Sequence, residues 1–166
     1  MRRLILAAGL LLIAGLSAAG AQTLAVAGIS ERSASLDVAA LEALGVTEIS
    51  DTREVSGQGA PQRLTIVYRG VELAKVLEAQ GIGEVDRYRI RAATVLITAK
   101  DGYRASFSWG EVFNSVAGPR ILVITSENGR PNSAREGVFS LRSLSDLRPG
   151  PRHVRDVAEI RLILPP

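Results

Sequence analysis

The chain has 166 residues, 46% of them hydrophobic, and its 20 basic and 17 acidic side chains give a formal net charge of +3. It contains no cysteine and one histidine, which excludes a disulfide framework and a zinc centre built from several cysteine or histidine ligands. All but two of the basic residues are arginines, and no basic run reaches five residues. This pattern does not favour nucleic-acid binding.

The first 21 residues predict a secretory signal peptide. Arg2 and Arg3 precede an apolar stretch, Leu4–Leu16, and the small-residue cleavage signal Ala19–Ala21. Cleavage would remove both arginines, lower the net charge from +3 to +1, and leave one domain, residues 22–166, in the periplasm. The processed protein is not expected to be an integral membrane protein. An uncleaved anchor is the alternative, and both the general secretory and the twin-arginine routes stay open.

Periodic apolar residues predict short strands and helices in the first half of this domain. In chain order these are a strand at Thr23–Gly28, a helix at Leu36–Leu44 that Ser35 caps, strands at Val46–Val55 and Arg63–Tyr68, and a helix at Val71–Ala79. A loop rich in glycine, proline and serine, Ser56–Gln62, separates the second strand from the third.

The middle of the chain predicts a β-hairpin followed by a capped helix. Asp101–Gly102 lies between the β-favouring runs Thr94–Ala99 and Tyr103–Ser108, and both residues of the pair tolerate the positive φ of a tight turn. Ser108 and Glu111 have the spacing of a capping box, in which each side chain accepts a hydrogen bond from the other residue's backbone N–H. A short helix should follow directly.

The last third of the chain predicts three more strands and two turns. The strands are Ile121–Thr125, Phe139–Ser143 and Val157–Leu164, and the turns are Asn128–Gly129 and Leu147–Pro151. Strands outnumber short helices, and strand and helix do not alternate regularly. The sequence therefore predicts an α+β domain with mixed β-sheets and a few short helices rather than a doubly wound parallel sheet.

Four short motifs follow one another along the chain. They are Gly70–Leu73 with Val76 and Leu77, Asp101–Tyr103 with Ser108, Asn128–Gly129, and Val154–Val157 with Ile160. In this order and spacing they resemble the molybdopterin-binding domain of sulfite-oxidase-like oxidoreductases. The resemblance covers nearly all of residues 22–166, and it implies the sulfite-oxidase-like fold and a molybdopterin cofactor.

The chain departs from that family where the metal is held. The family carries a metal-ligating cysteine between the first helix and the Gly-Val-x-Leu helix, and the corresponding interval, Ile49–Arg69, has no cysteine. The family's Gly-Pro-x-Arg segment corresponds to Gly137–Arg142, which lacks the proline and has Ser140 where the arginine is expected. We therefore expect no metal-centred oxo-transfer and no stoichiometric transition metal, while the resemblance keeps molybdopterin as a candidate cofactor.

The resemblance places four residues near the anionic end of the cofactor: Arg142, Arg152, His153 and Arg155. A guanidinium group can donate two hydrogen bonds at once to an oxyanion. In the alternative, the arginines form a solvated, salt-bridged surface with four acidic residues: Glu127, Glu136, Asp146 and Asp156. His153 is expected either at the surface, in place of an aromatic residue of the family motif, or against an anion.

The leading functional hypothesis is an exported, single-domain sulfite-oxidase-fold protein that acts as a non-catalytic binding or accessory module of the cell envelope. The alternative is a molybdopterin-dependent oxidoreductase subunit that holds its cofactor without a cysteine ligand. A soluble partner domain for an envelope signalling or transport protein is a third class. The candidate partners are therefore an envelope protein or a small anionic ligand.

Overall fold

The computed structural model describes residues 22–29, 33–55, 62–148 and 150–165. The predicted signal peptide and most of the predicted loop at 56–62 lie outside the described residues. In chain order the described strands are β1 (Leu24–Ala27), β2 (Ala34–Leu36), β3 (Val46–Val55), β4 (Gln62–Glu72), β5 (Thr94–Ala99), β6 (Arg104–Ser108), β7 (Ile121–Glu127), β8 (Arg130–Pro131), β9 (Ser140–Ser143) and β10 (Val157–Ile163). The described α-helices are α1 (Val38–Glu42), α2 (Leu73–Glu78), α3 (Arg87–Arg91) and α4 (Trp109–Phe113).

The first sheet has the strand order β2-β1-β10-β5-β6. β1 runs parallel to β10, whereas the other neighbours are antiparallel, so the sheet is mixed as predicted. Along β5 and β6 every second residue is buried, including Val95, Ile97 and Phe107. This alternation is the period-two pattern that predicts the two strands from the sequence.

The second sheet has the order β3-β4-β7-β8, and β9 also pairs with β7. Because β4 pairs along one edge of β7, β8 and β9 share the other edge, one after the other. The loop between them, residues 132–139, therefore bulges out of the sheet. The β3–β4 hairpin extends beyond β7, whose described pairing with β4 covers Tyr68–Glu72.

One large apolar core packs the two sheets against all four α-helices. A smaller cluster lies on the other face of the second sheet and contains Tyr68, Leu122, Ile124 and Leu144. Successive strand residues point to opposite faces, so Val123 joins the large core while its neighbours on β7 join the small cluster. Around β7 the second sheet is therefore buried on both faces. None of the described helices has the length and hydropathy to cross a membrane.

The first helix begins later than the sequence predicts. It starts at Val38 rather than Leu36, and its cap is Asp37, whose carboxylate accepts a hydrogen bond from the Ala40 amide at 2.8 Å. Ser35, the predicted cap, lies in β2 and pairs with β1. Backbone pairing within the sheet thus overrides the local capping signal of the serine.

The second helix also begins later than the predicted Val71–Ala79. It starts at Leu73, because Val71 is still paired with Val123 of β7. Gly70 makes this pairing possible, since a Cβ atom there would lie 2.2 Å from the carbonyl oxygen of Val123. The close approach of two backbones gives a physical reason for the glycine of the Gly-Val-x-Leu motif.

The predicted hairpin and capping box are confirmed. β5 and β6 pair across a turn that contains Gly102, whose φ is +88°. The Ser108 hydroxyl accepts from the Glu111 amide at 3.1 Å, and the Glu111 carboxylate accepts from the Ser108 amide at 2.8 Å. The predicted turn at Asn128–Gly129 is also present, with both residues at positive φ, and joins β7 to β8.

Replacing Ser108 by alanine should lower the free energy of unfolding by about 1 kcal/mol, because the first turn of α4 loses its capping acceptor. Urea denaturation measures this change. Ser106→Ala, an exposed substitution on the same strand, is the matched control and should cost less than about 0.5 kcal/mol. Equal losses in the two variants would contradict the role of the cap.

Candidate functional site

Glu136 lies among three of the four predicted site residues. The loop between β8 and β9 carries Glu136, β9 carries Arg142, and the segment before β10 carries His153 and Arg155. The backbone holds the two loop segments together, since the Asp156 amide donates to the Glu136 carbonyl oxygen at 2.7 Å. Long-range pairing therefore gathers side chains that the sequence separates.

Two side chains bind the carboxylate of Glu136. Nε2 of His153 lies 2.5 Å from Oε2, and Nε of Arg155 donates to Oε1 at 2.9 Å. Nη2 of Arg142 is 3.7 Å from the carboxylate, an ion-pair distance that is too long for a hydrogen bond. The predicted surface position of His153 is wrong, because its side chain is only 4% exposed against the 10% exposed side chain of Glu136.

The protonation states follow from this packing. Burial alone would raise the pKa of Glu136, but the hydrogen bonds from His153 and Arg155 outweigh it and lower the pKa to about 2. Burial lowers the pKa of His153, and the charges of Arg142 and Arg155 act in the same direction against the opposing Glu136 bond. Near neutral pH the pair is therefore a carboxylate and a neutral imidazole whose Nε2–H donates.

Arg152 lies apart from this cluster. Its guanidinium donates to Asp146 at 2.5 and 2.8 Å and to Glu111 at 2.6 Å, and it covers the ring of Phe107 at 4.5 Å. The hydrogen bond to Asp146 is the main cause of the raised pKa of Arg152. Since Glu111 also completes the capping box, Arg152 ties the start of α4 to Asp146, in the segment after β9.

Arg142 is the predicted site residue that keeps an unpaired donor. Its side chain is 13% exposed, burial lowers its pKa, and its Nε has no hydrogen-bond partner among the described residues. Its Cζ lies 5.3 Å from the ring centroid of Tyr68, and Arg53 covers the same ring at 5.5 Å. Tyr68 is fully buried, and within the described part of the chain its hydroxyl also lacks a partner.

Glu127 completes this group, which we call the tyrosine cluster: Arg53, Tyr68, Glu127 and Arg142. Tyr68 and Glu127 are register partners and so share a face of the second sheet. Oε1 of Glu127 is buried 3.8 Å from Arg142 Nη2, and burial raises the pKa of this carboxyl. Arg53 is already paired with Asp51 at 2.5 Å. Among the described residues the cluster thus leaves two donors, the Tyr68 hydroxyl and Arg142 Nε, and one acceptor, Glu127 Oε1, without a hydrogen-bond partner.

Sequence reasoning did not identify Tyr68 or Arg53 as site residues, and it considered Glu127 and Glu136 only as surface partners. The alternation of Leu64, Ile66 and Tyr68 does predict one common face of β4. No pattern in the sequence shows that arginines from two other strands cover the tyrosine ring.

The donor set does not fit a molybdopterin centre. The sequence has no cysteine, and the described residues contain no group of three or more histidine, cysteine, aspartate or glutamate side chains placed to hold a metal. In the interval of the family cysteine, Arg53 and Asp51 pair with each other. Arg155 and His153 already hold the carboxylate of Glu136, so another anion there would have to displace an ionised group.

No family model matches the chain, and no curated protein matches its sequence. Solved structures do match. One is the sulfane dehydrogenase SoxCD from Paracoccus pantotrophus, with a TM-score of 0.64 and 14% sequence identity. The match covers 85% of this chain but only 38% of that one. At this identity the likeness establishes the fold alone, and it confirms the predicted α+β, sulfite-oxidase-like class.

Proposed function

We propose that the protein is an exported, single-domain, sulfite-oxidase-fold module of the cell envelope that binds a small oxyanion without metal-centred redox catalysis. The observation that carries the proposal is a pair of buried donors on one face of the second sheet, the Tyr68 hydroxyl and Arg142 Nε, which no described residue satisfies. The motif resemblance independently supports an anion near Arg142.

An oxyanion suits these donors for chemical reasons. It accepts a charge-assisted hydrogen bond from the guanidinium of Arg142 and a second bond from the hydroxyl of Tyr68. His153 and Arg155 act indirectly in this proposal, because they hold Glu136 and keep its carboxylate beyond hydrogen-bond distance of Arg142. An anion beside Glu127 favours protonation of that carboxyl, so affinity should rise as the pH falls.

Calorimetric titration with sulfate, sulfite and phosphate at low ionic strength tests this site. We expect a Kd of about 1 mM or lower that weakens with added salt, because salt screens the attraction between the dissolved anion and the guanidinium of Arg142. Tyr68→Phe should weaken binding about tenfold. It removes one hydrogen bond to the anion, and a tenfold change in Kd corresponds to about 1.4 kcal/mol, the upper end of the contribution of one such bond. The same variant should stabilise the fold by about 1 kcal/mol, because it removes a buried hydroxyl that lacks a partner.

Tyr103→Phe is the matched control. The Tyr103 hydroxyl is exposed and donates to the Pro151 carbonyl oxygen at 2.7 Å, so its removal should destabilise the fold by up to about 1 kcal/mol and leave anion affinity unchanged. Opposite stability changes in the two variants, with affinity lost only in Tyr68→Phe, would support the site. Anion binding that survives Tyr68→Phe unchanged, or the absence of binding in the wild type, would overturn it.

The second candidate function is a molybdopterin-dependent oxidoreductase subunit that holds its cofactor without cysteine. The likeness to the sulfane dehydrogenase SoxCD favours it at the level of fold, whereas the donor set disfavours it. Molybdenum and pterin analysis of protein purified from its native compartment decides between the two. Near-stoichiometric amounts of both would establish the alternative. Mass spectrometry of the same sample tests whether the mature chain begins at Gln22.

A further inference from the structure

A cleft opens between α1, the end of β7 and the loop at 132–138, with a volume of about 680 Å³. It lies on the other face of the second sheet from the tyrosine cluster. Arg69 and Ser126, which line it, are register partners, and each lies one residue along its strand from Tyr68 and Glu127 respectively. The volume is typical of sites for drug-sized ligands.

The walls of the cleft suit an apolar body. Val38 of α1 and Val138 of the loop are 36% and 37% exposed, and both face the cleft. Pro131 and Ala134 add apolar surface, while Gly129 leaves room because it has no side chain. Apolar side chains that remain exposed within a concave wall bind apolar ligand groups by the hydrophobic effect.

Carboxylates dominate the charges around the cleft. Glu42 accepts from Arg69 at 2.9 Å and from Thr125 at 2.7 Å, and these two bonds lower its pKa. Arg69 is shared with a second carboxylate, Glu48, at 3.4 Å. Its charge is therefore divided between two acids.

Asp156 is the third carboxylate of this region. It accepts from the Gln22 amide at 2.8 Å and lies 3.2 Å from the ammonium of Lys100. Among the charged side chains that line the cleft, Glu42 and Asp156 are carboxylates and Arg69 is the cation.

Asn132 adds an acceptor to the wall. Its Nδ2 donates to the carbonyl oxygen of Ile124 at 3.0 Å, with longer contacts to the Val138 carbonyl and the Ser140 hydroxyl at 3.4 Å. This network fixes the amide orientation, because a flipped amide would place Oδ1 against two carbonyl oxygens. Oδ1 is buried and has no hydrogen-bond partner in the part of the chain that the structure describes.

We propose that this cleft binds a small organic cation, an amine with an apolar body. The apolar walls would hold the body, and Asn132 Oδ1, Glu42 and Asp156 would accept hydrogen bonds from the ammonium group. The carboxylates of Glu42 and Asp156 select against an anion of the same shape. The site is independent of the oxyanion site, because the two lie on opposite faces of the sheet.

Three probes of nearly equal shape test the charge preference: benzylamine, benzyl alcohol and benzoate. Each is titrated into the purified ¹⁵N-labelled protein and followed by amide chemical shifts. Benzylamine should bind with a Kd of about 1–10 mM and shift the amides of Ser126, Gly129, Ala134 and Val138. Benzyl alcohol should bind more weakly, and benzoate at least about tenfold more weakly than benzylamine.

Two variants locate the site and its charge. Asp156→Asn keeps the shape and the left-handed backbone at φ +46°, which asparagine tolerates, and should weaken benzylamine binding about threefold to tenfold. Val138→Trp fills the cleft and should abolish binding, whereas Val116→Trp, at a fully exposed position elsewhere, should leave it unchanged. If Val138→Trp does not fold, Val38→Trp fills the cleft from α1 instead.

Several outcomes overturn the proposal. Benzoate binding as tight as that of benzylamine would refute it, and so would wild-type benzylamine affinity in Asp156→Asn. Shifts confined to residues outside the cleft, wild-type binding by both cleft-filling variants, or no benzylamine binding at all would each refute it.

Discussion

Glu136→Gln should destabilise the protein by about 3 kcal/mol at neutral pH. Glutamine keeps the size of the side chain but removes the charge that faces two arginines, and loss of one partner from a buried ion pair typically costs about 3–5 kcal/mol. We expect the lower end of this range, because the Arg155 side chain is 42% exposed and can be solvated again. The Arg142 side chain is only 13% exposed and cannot be solvated again, so its buried charge should account for most of the lost stability.

Glu54→Gln is the matched control for this change. Glu54 also pairs with an arginine, Arg63, at 3.6 Å, but the two side chains are 65% and 80% exposed. Exposed ion pairs contribute about 0–1 kcal/mol, so this variant should unfold close to the wild type in urea. Similar midpoints for the two variants would show that the Glu136 cluster does not act as a buried ion pair.

Local signals in the sequence predicted much of the fold. The hairpin around Gly102, the capping box of Ser108 and Glu111, and the turn at Asn128–Gly129 each depend on a few neighbouring residues. The structure contains them for the same reason. The starts of α1 and α2 were predicted less well. Leu36 and Val71, the predicted first residues, are paired with other strands, so both helices begin after them.

One of the described α-helices was not predicted at all. α3 has five residues, which is too short for a helical apolar period to be visible. Its signal is Asp86, whose carboxylate accepts from the amides of Tyr88 and Arg89 at 3.0 Å. A capping aspartate without a periodic segment after it is common in turns, so the sequence alone does not separate the two cases.

The candidate site was predicted in composition but not in arrangement. The sequence singled out four residues: Arg142, Arg152, His153 and Arg155. In the structure three of them lie around Glu136, whereas Arg152 binds Asp146 instead. Which arginine pairs with which acid depends on how β7, β9 and the segment before β10 meet. That information lies in long-range pairing, and no spacing along the chain encodes it.

Acidification should destabilise the fold, and Glu136 should make the largest contribution to this loss of stability. Its pKa falls from 4.5 to about 2 on folding, so it contributes about 3 kcal/mol above pH 4.5 that is lost progressively as the pH falls to about 2. His153 acts in the same direction. Its folded pKa lies below 6.5, so stability begins to fall once the pH drops below 6.5 and the unfolded chain takes up a proton. Glu127 opposes both, because its raised pKa lets the folded state bind a proton first.

Urea denaturation of the wild type and Glu136→Gln between neutral pH and about pH 3 isolates the contribution of Glu136. The difference of about 3 kcal/mol between the two proteins should shrink as the pH falls, because a protonated Glu136 is as uncharged as the glutamine. His153→Gln should flatten the wild-type slope between neutral pH and about pH 5, because it removes the histidine whose pKa falls on folding. If the difference between wild type and Glu136→Gln stays constant with pH, Glu136 stabilises the fold through packing and hydrogen bonding rather than through its charge.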